Sequence, residues 1–147
     1  MTIVRHEDKE NVSVMTKQLI VTLGGKTFHA SLFENEAPRT ISELEKAGRF
    51  DSVVFSAKIC SNEITWNTPV GDIDYLENET FYQTPGNIVF FPAWGAICVF
   101  FGPTEPVGLC TKFAQIQPDE LDEFIKEGNN VWLKQGGLVT TEIVEEA

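Results

Sequence analysis

Ile88-Val89-Phe90-Phe91-Pro92-Ala93-Trp94-Gly95-Ala96-Ile97-Cys98-Val99-Phe100-Phe101 is the longest apolar run in the chain. Pro92 and Gly95 interrupt it, and it is too short to cross a bilayer. Two short segments remain, 88–91 and 97–101, rich in β-branched and aromatic residues and separated by Pro92-Ala93-Trp94-Gly95. That composition, bounded by turn residues, predicts two strands joined by a loop.

The same signature recurs on both sides of this pair. Val53-Val54-Phe55, Glu63-Ile64-Thr65-Trp66, Phe113-Ala114-Gln115-Ile116 and Val131-Trp132-Leu133 read as further short strands, and residues 138–144 as a last one. Upstream, Leu19-Ile20-Val21-Thr22-Leu23 and Thr27-Phe28-His29-Ala30-Ser31-Leu32-Phe33 flank a Gly24-Gly25-Lys26 turn. Phe28, Ala30 and Leu32 alternate with His29 and Ser31, the period-2 pattern of a half-buried hairpin.

Two short helices interrupt the strands. Pro38 opens the first at a position where its missing amide costs nothing. Ile41, Leu44 and Ala47 share one face, and Gly48 supplies a stop. The second begins at Pro118, with Asp119 and Glu120 at the positive end of the dipole and Leu121, Phe124 and Ile125 facing inward. Lys126 and Gly128 are expected to close it. Helices of two or three turns need packing on something larger. Many short strands with two capping helices predict a mostly β fold, a closed barrel without exposed sheet edges.

A chain of 147 residues fits one domain with one core. Residues 1–17 carry Arg5-His6-Glu7-Asp8-Lys9-Glu10 and no clean period, which predicts an arm or an added edge strand, with the barrel over 18–147. The formal charge of −11 repels phosphate backbones and anionic lipid, so nucleic acid and membrane surfaces are poor partners. Three cysteines, Cys60, Cys98 and Cys110, give an odd count without paired spacing. No disulfide framework is expected, and with no apolar leader at the N-terminus the expected location is the cytoplasm.

Phe28-His29-Ala30-Ser31-Leu32-Phe33, Ala37-Pro38-Arg39-Thr40 and Leu44 together resemble the opening of a cyclophilin, where a strand ending in Leu-Phe is followed by Pro-Lys/Arg-Thr and a helix. Ser61-Asn62-Glu63-Ile64-Thr65-Trp66-Asn67-Thr68-Pro69-Val70 is similar to a bacterial and archaeal group of cyclophilin-like proteins of unknown function. So is Thr84-Pro85-Gly86-Asn87-Ile88-Val89-Phe90-Phe91-Pro92. The resemblance covers roughly residues 19–143 and implies an eight-stranded barrel with a helix at each end. It also implies where the chemistry should be. Catalytic cyclophilins polarise the prolyl amide with the arginine of a Phe-His-Arg segment; the matching stretch here is Phe55-Ser56-Ala57-Lys58, so the arginine position holds Ala57 or, with a one-residue shift, Lys58. Lysine lacks the planar guanidinium fork, so little or no prolyl isomerase activity is expected. The resemblance places Lys58, Glu63 and Trp94 on the side where cyclophilins bind peptides, and Lys112 at a second position where the group often carries arginine or histidine.

Other chemistry finds little support. Two distant histidines and three scattered cysteines make no zinc pattern, and no metal or cofactor is expected. Cys98 and Cys110 read as small core residues, and His29 as a surface histidine. Gly24-Gly25 and Gly136-Gly137 fit hairpin turns better than ligand contacts. Asp72, Asp74, Glu77 and Glu79 read as a solvated face, and Glu142, Glu145 and Glu146 as a solvated tail. The informative set combines Trp66, Tyr82, Phe91, Trp94 and Phe101, which can line an apolar pocket, with Lys58, Glu63, Glu79 and Glu105 as polar groups. It predicts a binder of a small molecule or short peptide. The alternatives are an enzyme using Glu63 or Glu79 as acid or base beside Lys58, and an assembly protein whose exposed aromatics make a homo-oligomer contact.

Overall fold

The fold is described from a computed structural model covering residues 16–146 except 72, 82 and 105–107. Strand β1 (Thr16–Leu23) turns at Gly24-Gly25 into β2 (Lys26–Leu32), and Leu23 pairs with Lys26. Both glycines have positive φ, 62° and 77°, as a two-residue turn of the type I′ family requires. Helix α1 (Pro38–Ala47) starts at its proline, buries Thr40, Ile41 and Leu44, and stops at Gly48, whose φ is 69°. Then come β3 (Phe50–Val53), β4 (Phe55–Ser56), a 3-10 turn over Lys58–Cys60, and β5 (Ser61–Asn67). The rest of the chain forms β6 (Glu79–Thr80), β7 (Asn87–Phe91), β8 (Ala96–Thr104), β9 (Cys110–Ile116), α2 (Leu121–Leu133) and β10 (Leu138–Glu146).

The strands run antiparallel in one sheet, in the order β3-β10-β1-β2-β9-β7-β8-β5-β4, with β6 added beside β9. The two ends of this path, β3 and β4, are successive pieces of one segment joined by Val54, whose N–H donates to the Gly137 carbonyl and whose carbonyl accepts from Gly136. Counting β3 and β4 as one bent strand and leaving out β6, eight strands ring a nearly closed barrel. Few sheet edges are left open. The barrel is filled by alternate residues of each strand, among them Leu19, Val21, Phe28, Ile64, Trp66, Ile88, Phe90, Ile97, Val99, Phe101 and Phe113. Phe124 of α2 closes one end on Phe28, edge to face with centroids 5.3 Å apart.

Several expectations need correction. Val131-Trp132-Leu133 is no strand: it is the last turn of α2, which runs through Gly128 instead of stopping there. Gly128 is buried in mid-helix because a β-carbon there would lie 2.4 Å from Cγ of Phe101. It is a close-approach glycine, not a terminator. Gly136-Gly137 makes no hairpin turn but links α2 to β10 and bonds Val54. Glu145 and Glu146 are no tail: they pair with Lys17 and Thr16 on β1. Because β1 begins at Thr16, the boundary expected at 17/18 falls inside a strand, and residues 1–15 lie outside the described set.

Candidate functional site

Strand alternation creates a second, outward face. On β7, Ile88 and Phe90 enter the barrel while Val89 and Phe91 point away; on β8, Cys98 and Phe100 do the same. A barrel's outer face ordinarily meets water. Here Val89, Phe91, Cys98, Phe100 and Cys110 form a cluster of their own, each at most 5% exposed. Register adds Glu63 opposite Phe100, Thr65 opposite Cys98, and Lys112 opposite Val89. The segment before β7 covers one flank: the Gln83 side-chain amide lies 3.4 Å from the Cys110 sulfur, and Thr80 pairs with Cys110 across β6 and β9.

Glu63 is the chemically unusual member. It is 2% exposed, and its Oε1 has no hydrogen-bond partner among the described residues. Burial raises its pKa above the ordinary 4.5, against hydrogen bonds from the Cys98 and Cys60 thiols that act the other way. The thiols are affected in turn. Burial pushes the Cys110 thiol up to about 12, and Cys98 well above its usual range, with the Glu63 charge adding to both. Thus Cys98 and Cys110 are buried thiols outside any disulfide, and neither is a ready nucleophile. Among the described residues no three His, Cys, Asp or Glu side chains converge closely enough to hold a metal.

Beside this cluster, sharing Phe91 with it, runs a groove of about 380 Å³ lined by residues 73–76, 91–93 and 109. The Pro92–Gly95 turn is held by Trp94 N–H donating to the Phe91 carbonyl at 3.2 Å, with Gly95 at φ 59°. The Trp94 ring is 61% exposed and lies over Phe91 with centroids 5.2 Å apart. The opposite wall is pinned by Glu77. Its carboxylate accepts from Arg39 N–H at 3.1 Å, Thr40 N–H at 2.7 Å and Thr40 Oγ1 at 2.8 Å, while its own N–H donates to Thr111 Oγ1 at 2.9 Å. Glu77 is therefore a cap for the orphan amides of α1, not a merely solvated carboxylate.

On the far side of residues 73–75 lies a more polar hollow of about 520 Å³, lined by Arg39, Ser42, Glu43 and Gly71 together with Ile73, Asp74 and Tyr75. The Arg39 guanidinium sits 3.6 Å from the Tyr75 ring centroid. In the sequence Arg39 stands in the Pro38-Arg39-Thr40 opening of the first helix, with nothing there to assign it to a site. What places it at a site is the loop that Glu77 ties to α1.

The expected site residues are therefore dispersed. Phe91 lines the groove and Trp94 lies over Phe91; Glu63 and Lys112 share the outer face. Trp66 and Phe101 enter the barrel and belong to its core, Trp66 Nε1 donating to Thr141 Oγ1 at 3.0 Å. Lys58 lies over the Trp132 ring at 4.4 Å and makes no ion pair with Glu63 among the described residues. Glu79 is exposed on β6. Tyr82, Glu105 and Asp72 lie outside the described residues. His29 is half-buried, its Nδ1 2.8 Å from Glu120 Oε2.

No helix among the described residues is long and apolar enough to cross a membrane. No curated protein matches the chain in sequence. Several solved structures are similar in fold, two of them as follows. The solution structure of the hypothetical protein AF2241 from Archaeoglobus fulgidus superposes with a TM-score of 0.66 at 21% identity, over 90% of this chain and 97% of that one. McbB, solved in complex with tryptophan, superposes with a TM-score of 0.68 at 19% identity, over 86% of this chain. The chain spans only 44% of McbB, so the likeness is to one part of a longer protein. At such identities both establish the barrel and nothing beyond it. A family model matches residues 19–143, nearly the whole barrel, and the chain therefore belongs to DUF3830, a family of proteins of unknown function.

Proposed function

We propose that this protein is a cyclophilin-like barrel that binds a small organic molecule in the groove beside Phe91, without the isomerase chemistry of catalytic cyclophilins. The observation that carries the proposal is an apolar groove of about 380 Å³ walled by Phe91, the one member of the buried outer-face cluster that lines it. That volume falls within the range of ligand pockets, roughly 300–1,000 Å³. The tryptophan held by McbB supports a small-molecule role for this fold, as one instance of it. The position matching the isomerase arginine carries Ala57 or Lys58, and Lys58 is engaged with Trp132.

A thermal-shift screen against a metabolite panel tests the reading, since a ligand bound only by the native state raises Tm. One compound class should stabilise the protein, and Phe91→Ala should abolish the shift while remaining folded. A panel with no stabilising member, or a shift that survives Phe91→Ala, overturns the groove as the site. A prolyl-peptide isomerisation rate equal to that of an authentic cyclophilin overturns the second half.

A second reading, assembly, has its own observation. Val53, Phe55, Trp132, Leu133 and Leu138 are all exposed, and they gather where β3, β4 and the end of α2 meet; Val53 pairs with Leu138. Exposed apolar groups of this size concentrate at subunit contacts. Sedimentation of Leu133→Asp against wild type decides it. A dimer that becomes a monomer supports this contact, and a wild-type monomer at micromolar concentration removes it.

A further inference from the structure

The groove and the polar hollow share Ile73, Asp74 and Tyr75, so the segment at 73–75 forms a rim between them. Asp74 and Arg39 are both exposed, and neither makes an ion pair among the described residues. Arg39 stacks on Tyr75, a residue that lines both hollows, which holds the guanidinium one ring from the apolar groove. Glu43, the other carboxylate of the hollow, is occupied by Lys46 at 3.3 Å. Glu77 is spent on the amides of α1. Among the described residues, then, a cation without an ion pair lines the polar hollow behind Tyr75, and an anion without one, Asp74, lines both hollows.

We propose that the ligand of the groove is a free α-amino acid with a large apolar side chain: its side chain fills the slot at Phe91 and Leu109, its carboxylate meets the Arg39 fork, and its ammonium meets Asp74. This rests on the groove being the binding site. A bare anion suits the rim less well, because the chain carries −11 overall and two carboxylates line the same hollow. A bare cation leaves Arg39 unmatched. A zwitterion uses both signs, and guanidinium is suited to bidentate carboxylate recognition.

Isothermal titration of the full chain with phenylalanine, phenylalaninamide, 3-phenylpropionate and phenethyl alcohol tests the proposal. Phenylalanine should bind most tightly. Removing either charged group from the ligand should cost roughly tenfold, the effect of losing one charge-assisted hydrogen bond. Arg39→Gln should weaken phenylalanine and 3-phenylpropionate by about the same factor and leave phenylalaninamide unchanged. Asp74→Asn should do the converse. Arg39 is exposed, so both variants should melt like wild type, and Arg39→Lys, which keeps charge without the fork, should fall between. Equal binding of all four compounds, with Phe91→Ala abolishing it, overturns the amino-acid assignment while the groove stands. Binding of other compounds at the groove with none of the four bound also overturns it. No binding by any compound in either assay overturns both.

Discussion

Gly128 of α2 lies directly on the ring of Phe101 from β8, so close that a β-carbon on the helix would come within 2.4 Å of the ring's Cγ. Phe101 is 3% exposed and belongs to the barrel core, so it has no room to retreat. The helix approaches the sheet only because this residue has no side chain.

Gly128→Ala should therefore destabilise the protein, although alanine is the better helix former by about 1 kcal/mol. Overpacking of a filled core costs about 1–3 kcal/mol, which leaves a net loss of up to about 2 kcal/mol. Urea denaturation measures it. An increase in the midpoint would show that α2 can shift away from the sheet.

Thr141→Val should cost about 1–3 kcal/mol, because it strands the Trp66 indole N–H inside the barrel without an acceptor. The substitution nearly preserves volume, so the loss reports the hydrogen bond. Chemical denaturation with Trp fluorescence is suitable, and an unchanged midpoint would contradict this role for Thr141.

Glu63 sets a pH dependence of definite sign. Its folded pKa is raised by burial above the unfolded 4.5, so the native state binds the extra proton between the two values. Its contribution to stability is fully present below about pH 4.5 and is lost as pH rises through the folded pKa. Glu63→Gln, which holds the neutral form permanently, should gain on wild type as pH is raised from 4.5 to 8. Urea midpoints of the two proteins at four or more pH values give the difference. A constant gap across that range would mean that Glu63 is not buried in solution.

The thiols should be silent in the native protein. Cys98 and Cys110 are buried with pKa values raised by that burial, Cys110 to about 12. A thiol-disulfide reagent at pH 8 should label neither at an appreciable rate until denaturant is added. Rapid labelling of either without denaturant would contradict the covered outer face.

Much of the barrel could be read from local pattern. The Gly24-Gly25 hairpin, α1 from Pro38 to Gly48 and the strands around Pro92–Gly95 lie where period and turn chemistry put them. Errors arose where one residue type serves two purposes. Gly128 was legible as a helix stop because glycine often is one, and nothing nearby in the chain announces Phe101 from another element. Val131-Trp132-Leu133 has strand composition, yet its valine packs as a helical residue on the barrel. The site was harder still. Trp66 and Trp94 look alike in the chain, but one fills the barrel and the other lies exposed over Phe91.

Composition, alternation and turn residues fixed a sheet of short strands with two small helices, because those signals act between neighbours a few residues apart. Which strand face became the covered outer cluster, which carboxylate was buried at Glu63, and how Glu77 brought Arg39 beside Tyr75 were settled by folding. Those relations join residues from separate elements, and desolvation and charge pairing exist only once closure of the barrel brings them together.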